Sequence, residues 1–381
     1  MSIYGFEQNY IKPIPNENPD IFVGPRKASA LKIASDIKSV IKSGRPCKMI
    51  IYGVPGIGKT HLANYLMILI RDTVESLILE CPSMHRRSRF VELEAVMMEQ
   101  VGKVNFMKKI QNCFDGFEGR IVDVENFLGI TADFAEILKK GIEEGGTLLW
   151  RYLLGQKISP AQMIALSAVK PQIDDIDATK VISITTKLFS KYENKKLLFI
   201  VDEMEKTKPL IGDSLNQYRD ALRALMDPHN STNILMLSTA RGFEEFRLVD
   251  SEPIRRRIGL HNFKLFKDYE DDELIDFMKD IIQARRTKDF PLKNKIDKIK
   301  IQEKIDEKTF PFTEKALIEI RECVHYLFDN NVVEAFSPGY LLELADFCLD
   351  RAQEENLEVI DSKFVKSVEK EFSAGQQSEE I

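Results

Sequence analysis

Apolar positions fall into three kinds of pattern along the chain. Helical spacing comes first: Ala30, Leu31, Ile33, Ala34, Ile37, Val40 and Ile41 recur so as to face one side of a helix, after a short apolar patch and a Gly-Pro turn. A compact apolar run, Met49 to Tyr52, then predicts a strand, followed by a Gly-rich loop and a helix from about Thr60 to Arg71. "SLILE" at 76–80 reads as a second strand. Leu197 to Val201 are five consecutive apolar residues flanked by lysines, the pattern of a strand buried on both faces of a parallel sheet. A helix from about Asp213 to Met226 and the strand "NILMLSTA" follow. From Tyr269 the pattern is helical, through "DDELIDFMKDIIQARR", "TEKALIEIRECVHYLF" and "PGYLLELADFCLDRA".

Between the second and third strands, residues 82–195 carry helix-compatible spacing in "FVELEAVMMEQV", "VENFLGITADFAEILKKGIEE" and "TLLWRYLLG". This stretch is too apolar for a linker and is the size of a small domain, so it reads as a helical insertion into an α/β core. Trp150 within it is expected to pack in a core. The expected organisation is an Asn- and Pro-rich extended arm at 1–20, an α/β core at 21–266 containing the insertion, a helical segment at 267–372 and a disordered tail at 373–381. The expected fold class is α/β, a parallel-sheet core, which the Gly-rich loop "GVPGIGKT" after the first strand makes one of P-loop NTPase type. No internal repeat or C-terminal winged helix is legible.

Composition narrows the partners. Lys and Arg number 54 against 60 Asp and Glu, a net charge of -6, so there is no general basic footprint and any DNA contact must be local. The five cysteines are scattered without a C-x-x-C pair and read as reduced, buried residues. "MSIYGFEQNYIKP" has neither the basic nor the apolar region of a secretory signal, and "LMILI" is too short to span a bilayer. The expected compartment is the cytoplasm, with no membrane contact.

The sharpest chemistry is "GVPGIGKT", in which Gly53, Gly58, Lys59 and Thr60 satisfy G-x-x-x-x-G-K-[ST] between a strand and a helix. Backbone amides of such a loop converge on phosphate oxygens, and the helix N-terminus adds its positive end. Lys59 would neutralise the β- and γ-phosphates and Thr60 would be a ligand to Mg2+. Val54, Pro55, Gly56, Ile57 and the following His61 complete the expected nucleotide-binding stretch. Asp202 and Glu203 end the buried strand, where open α/β sheets bind ligands. Asp202 is expected to hold Mg2+ and Glu203 to polarise the water that attacks the γ-phosphate. Ser238 and Thr239 end another strand; either hydroxyl would align that water, or both form an ordinary turn. Arg255, Arg256 and Arg257 stand together, as an arginine finger or as a solvated, ion-paired turn. Arg86, Arg87 and Arg89 in "HRRSR" would track a phosphate backbone or form a solvated loop.

"FVGPRKASA", "GVPGIGKTHL", "LLFIVDEME", "ILMLSTAR" and "PIRRRIGLHNFKLFKDYEDDEL", in this order and followed by helices, together resemble an AAA+ ATPase. The chain is most similar to the initiator or origin-recognition type, including related ATPases of bacterial defence and mobile elements. The resemblance implies ATP and Mg2+ as cofactors, with Phe22 and Val23 flanking the adenine. It makes residues 53–60 the Walker A motif, Asp202 and Glu203 Walker B, and Ser238 or Thr239 sensor 1. Arg257 best matches the arginine finger, with Arg256 second. A finger of this kind reaches a neighbouring subunit's nucleotide, so the resemblance implies a homo-oligomeric ring or filament. Gly339 in "FSPGYLLEL" stands where the family usually has a sensor 2 arginine, which implies either no nucleotide-coupled lid closure or a shift of that task to another residue such as Arg351. The functional expectation is an ATPase motor or switch in a DNA transaction such as anti-phage defence or transposition, working with a separate effector protein. The alternative is a protein-directed remodeller or signalling switch that never touches DNA.

Overall fold

The computed structural model describes residues 3–6, 10–15, 17–24, 26–227, 230–242, 245–267, 269–333 and 335–378, with 376–378 described in backbone only. In chain order the elements are α1 (Arg26–Lys42), β1 (Lys48–Gly53), α2 (Lys59–Ile70) and β2 (Val74–Glu80). Seven helices follow: α3 (Phe90–Val101), α4 (Lys103–Gly116), α5 (Ile121–Leu128), α6 (Ala132–Glu143), α7 (Thr147–Leu153), α8 (Pro160–Leu166) and α9 (Asp175–Tyr192). Then come β3 (Lys196–Asp202), α10 (Gly212–Leu225), β4 (Asn233–Thr239), α11 (Glu252–Ile258) and β5 (Phe263–Leu265). The chain closes with α12 (Asp271–Arg285), α13 (Leu292–Ile296), α14 (Glu314–Asp329), α15 (Pro338–Glu354) and α16 (Ser362–Ser378). No helix among the described residues is long and apolar enough to cross a membrane.

Two compact units divide these elements. The described residues of Ala34–Tyr52 and Leu69–Leu265 form one of them, built on a five-stranded sheet in the order β2-β3-β4-β1-β5. The strand pairings are parallel, with Glu80 opposite Asp202, Val201 opposite Met236 and Ile51 opposite Lys264. Leu197 to Val201 are fully buried, as a strand covered on both faces requires. Asn233 fixes the start of β4: its side chain accepts from Cys47 N at 2.9 Å and donates to Leu197 O at 2.8 Å, satisfying a buried amide on both sides. The insertion is helical throughout, as its periodicity predicts, and shares one apolar core with the sheet. At its centre is α9, which packs on β3, α3, α4, α5 and α10. Trp150 is partly buried against that core, its ring 5.9 Å from Phe106.

The described residues of Met1–Ile33, Gly53–Ile68 and Phe266–Ile381 form the other unit, with a separate core supplied mainly by α12, α14, α15 and α16. The N-terminal residues depart from the extended arm expected of them. Tyr4, Phe6 and Ile11 are fully buried in this core, Tyr4 Oη donates to Leu357 O at 2.8 Å, and Ile11 N and Lys12 N both donate to the Asp346 carboxylate. Three well-spaced apolar side chains outweigh the Asn and Pro content around them. At the other terminus α16 continues to Ser378, past the residue where the tail was expected to begin, while 379–381 lie outside the described residues. All five cysteines are buried and free.

Candidate nucleotide site

Within the unit that contains residues 53–68, the loop has the conformation its glycines permit. Gly56 and Gly58 sit at φ 68° and 92°, where a side chain would be strained. Lys59 opens α2 and is buried; its Nζ donates to Gly53 O at 3.1 Å and Val54 O at 2.9 Å, folding the ammonium back across its own loop. Arg26, at the start of α1, braces the loop from outside by donating to Ile57 O at 3.0 Å. Phe22 is buried, and its ring stacks on Tyr65 of α2 at 4.8 Å and 5°. His61 lies 5.7 Å from the same ring, its imidazole pushed below the ordinary range by burial, against the opposing pull of the Ile21 backbone and Asp20. Nε2 of His61 is buried without a hydrogen-bond partner among the described residues. Val23 packs partly buried against the helical core.

The C-terminal helices reach the same loop. Gly339 N donates to Gly56 O at 3.1 Å, and a Cβ on Gly339 would stand 3.0 Å from that oxygen, so a side chain in the expected sensor 2 place requires the loop to give by a few tenths of an ångström. Arg351 lies about 18 Å along α15 from Gly339 and pairs with Glu354 and Glu371.

In the sheet-bearing unit, Asp202 ends β3 and is buried, its Oδ1 accepting from Glu203 N at 2.8 Å. Glu203 is a non-glycine residue at φ 57°, ψ 38°. Such strain costs on the order of 1–3 kcal/mol and clusters at functional sites. Its carboxylate meets Lys206 Nζ at 2.5 Å, and Lys206 also pairs with Glu80, the last residue of β2. The Lys206 ammonium favours the ionised Glu203, but burial and the competing Glu80 carboxylate outweigh it and push Glu203 upward. Ser238 is buried at the end of β4, and the neighbouring Thr239 N donates to Glu205 Oε2 at 2.8 Å, which ties the strand end to the turn after Glu203.

All three arginines of the 255–257 cluster lie in the last turn of α11, where the carbonyl end of the helix favours cations. Arg256 is exposed and pairs with Glu252, the ion-paired reading of that residue. Arg257 donates to Pro253 O at 3.2 Å, and its Nε is buried without a partner among the described residues. In "HRRSR", Arg86 and Arg87 are exposed, whereas Arg89 sits before α3 and pairs with Asp175 of α9 at 3.4 Å. Arg89 therefore anchors the insertion and is not part of a free basic cluster. Sequence reasoning missed Lys206, Glu205, Tyr65 and Ser337. Only two left a trace: Lys206 is one helical turn after Glu203, and Ser337 precedes a Pro, the signature of a helix start.

No protein-family model matches the sequence, and no curated protein matches it. Solved structures do. The chain is similar to the ORC1 protein of Aeropyrum pernix, solved in complex with DNA, with a TM-score of 0.53 and 12% identity over 97% of this chain and 70% of that one. It is similar also to the ORC2 protein of Aeropyrum pernix, solved as ADPNP-ADP complexes, with a TM-score of 0.51 and 14% identity over 93% of this chain and 71% of that one. At these identities the likeness is one of fold. The parallel sheet and its helices share the α/β fold of these two ORC structures.

Proposed function

We propose that the chain binds ATP with Mg2+ and hydrolyses it, assembling with itself and a separate effector protein as a motor or switch in a DNA transaction such as anti-phage defence or transposition. The observation that carries this reading is the Gly53–Thr60 loop, with Gly56 and Gly58 at positive φ and a buried Lys59 at the mouth of a 12-residue helix. That arrangement presents amides, a helix N-terminus and one cation to phosphate. The orphaned Nε2 of His61 beside Phe22 fits an adenine neighbour in the same way.

In this reading residues 53–61 hold the phosphates, and Phe22 and Val23 flank the base. Thr60 and Asp202 supply oxygen to Mg2+, which keeps most of its waters and needs few protein ligands. Glu203 polarises the attacking water, Ser238 or Thr239 aligns it, and Arg257 or, second, Arg256 serves a neighbouring subunit's nucleotide. Residues 21–266 act as the nucleotide-binding core and 267–372 as the lid. The compartment is the cytoplasm.

The protein-directed reading gains from Arg89, whose pairing with Asp175 leaves Arg86 and Arg87 as the exposed arginines of that basic cluster. An exposed apolar pair on the insertion, Ile164 and Val169, also suits a protein partner better than a phosphate backbone. The deciding experiment for the catalytic claim is steady-state ATP hydrolysis by the wild type and by Glu203→Gln. The expected result is retained ATP binding with turnover lowered by roughly 100-fold or more. Full turnover in that variant means that another group orients the water.

A further inference from the structure

In a chain that is acidic overall, residues 286–300 between α12 and α14 hold six basic side chains against two acids, Asp289 and Asp297. Lys288, Lys293, Lys298 and Lys300 of this segment are exposed, and none of them forms an ion pair or a side-chain hydrogen bond among the described residues. The apolar residues between them, Phe290, Leu292, Ile296 and Ile299, pack instead on the core of the C-terminal helices. The N-terminal residues fix this segment in place. Thr287 N and Oγ1 both donate to Gly5 O at 2.9 Å, and Lys295 Nζ donates to Ile3 O at 2.6 Å. Gly5, at φ 80°, lies so close to the Phe290 ring that a Cβ there would collide with it. The four ammoniums thus stand on an ordered platform, which lowers the entropy a partner must overcome on binding. Like charges along one short segment repel unless an anion lies across them, so the arrangement suits a polyanion.

We propose that Lys288, Lys293, Lys298 and Lys300 bind the phosphodiester backbone of double-stranded DNA without reading its sequence. Ammoniums act on phosphate oxygens as point charges and carry no base code. The one aromatic ring of the segment, Phe290, is turned onto Gly5 and lies 6.1 Å from the Phe310 ring, so the segment offers no free ring for stacking an unpaired base, which favours a duplex over a single strand. Its apolar side chains pack on the core, which disfavours entry into a lipid surface. The proposal rests on the reading of the protein as one that acts on DNA, and it uses residues other than Arg86 and Arg87.

The test measures binding of a fluorescently labelled DNA duplex by anisotropy over a range of salt concentrations, with and without Mg·ATP. It compares the wild type, Lys288→Gln, Lys293→Gln, Lys298→Gln and Lys300→Gln singly and combined, and the pair Arg86→Gln with Arg87→Gln. A lysine on a phosphate contributes about 0.9 to the slope of log affinity against log salt, so each single variant should flatten that slope by about 1 and the combined variant by roughly 3 to 4. The melting temperature should not change, because the substituted side chains are exposed and unpaired among the described residues. Affinity should fall alike for duplexes of unrelated sequence. Wild-type affinity and slope in the combined variant overturn the proposal, and a loss confined to the arginine pair moves the contact to the insertion while the DNA reading stands. A wild type that binds no duplex even at low salt brings down the DNA reading and the proposal with it. Binding of phosphatidylserine vesicles that the combined variant loses, with no duplex bound, assigns the lysines to a lipid surface and likewise overturns the proposal.

Discussion

Glu203 and Glu94 are two carboxyls with opposite fates. Glu203 shares the Lys206 ammonium with Glu80, and removing that cation disfavours its ionised form. Lys206→Met should therefore move the acid limb of the turnover-against-pH profile to higher pH; an unmoved limb means that the pair does not set the ionisation of the base. Glu94 is fully buried on α3 with neither oxygen partnered among the described residues, and burial pushes its carboxyl well above the usual range. A folded-state value above the unfolded one means that the native state binds the extra proton, so stability falls as pH rises from about 4.5 toward the folded value. Glu94→Leu should remove that slope and stabilise the protein at neutral pH by about 1–3 kcal/mol, as chemical denaturation at several pH values would read. The two carboxyls also mark what a sequence discloses about single residues. Residues 53–60 and the Asp202–Glu203 pair stand out in the sequence because the motifs they fit depend on local spacing. Glu205 and Tyr65 acquire partners from segments far away in the chain, which spacing does not encode.

At the scale of elements, periodicity found the buried strands and helices such as α1, α3, α12, α14 and α15, because a single face or a continuous apolar run decides them, but it did not single out α9, the longest. It failed at α11: seven residues with three consecutive arginines carry no apolar stripe, yet the helix forms and places those cations at its carbonyl end. It failed also at the N-terminus, where composition suggested a free arm and three buried apolar residues make a strap. Asp346 of α15 anchors that strap through the amides of Ile11 and Lys12, and burial raises its carboxyl to about 6. Asp346→Ala leaves two amides without their acceptor and should lower stability by about 1–3 kcal/mol. Hydrogen exchange at Ile11 and Lys12 should quicken by more than the global loss of stability explains. Protection equal to that of the wild type would mean that the apolar contacts of Tyr4, Phe6 and Ile11 hold the strap unaided.

For the whole molecule, the fold was legible as a class, and the helical insertion as an addition to it, but the extent to which the insertion and the sheet share one core was not. That continuity follows from α9 packing on β3 and on three helices of the insertion at once. Two expectations belong to this scale. With ATP, Glu203→Gln should assemble beyond the monomer in mass photometry, because a nucleotide held but not hydrolysed favours the assembled state. A monomer at every condition argues against Arg257 acting on a neighbour. If the assembly acts on DNA, double-stranded DNA binding should weaken steeply with salt and fall when Arg86 and Arg87 are neutralised, with Arg89 left in place to hold the insertion. Salt-insensitive or absent DNA binding favours the protein-directed alternative. Beneath both lies the claim that residues 53–60 are a phosphate site. The most direct measurement is a calorimetric titration of Mg·ATP into the wild type and Lys59→Ala: saturable binding by the former and its loss in the latter are predicted, and equal affinity in the two would contradict the account.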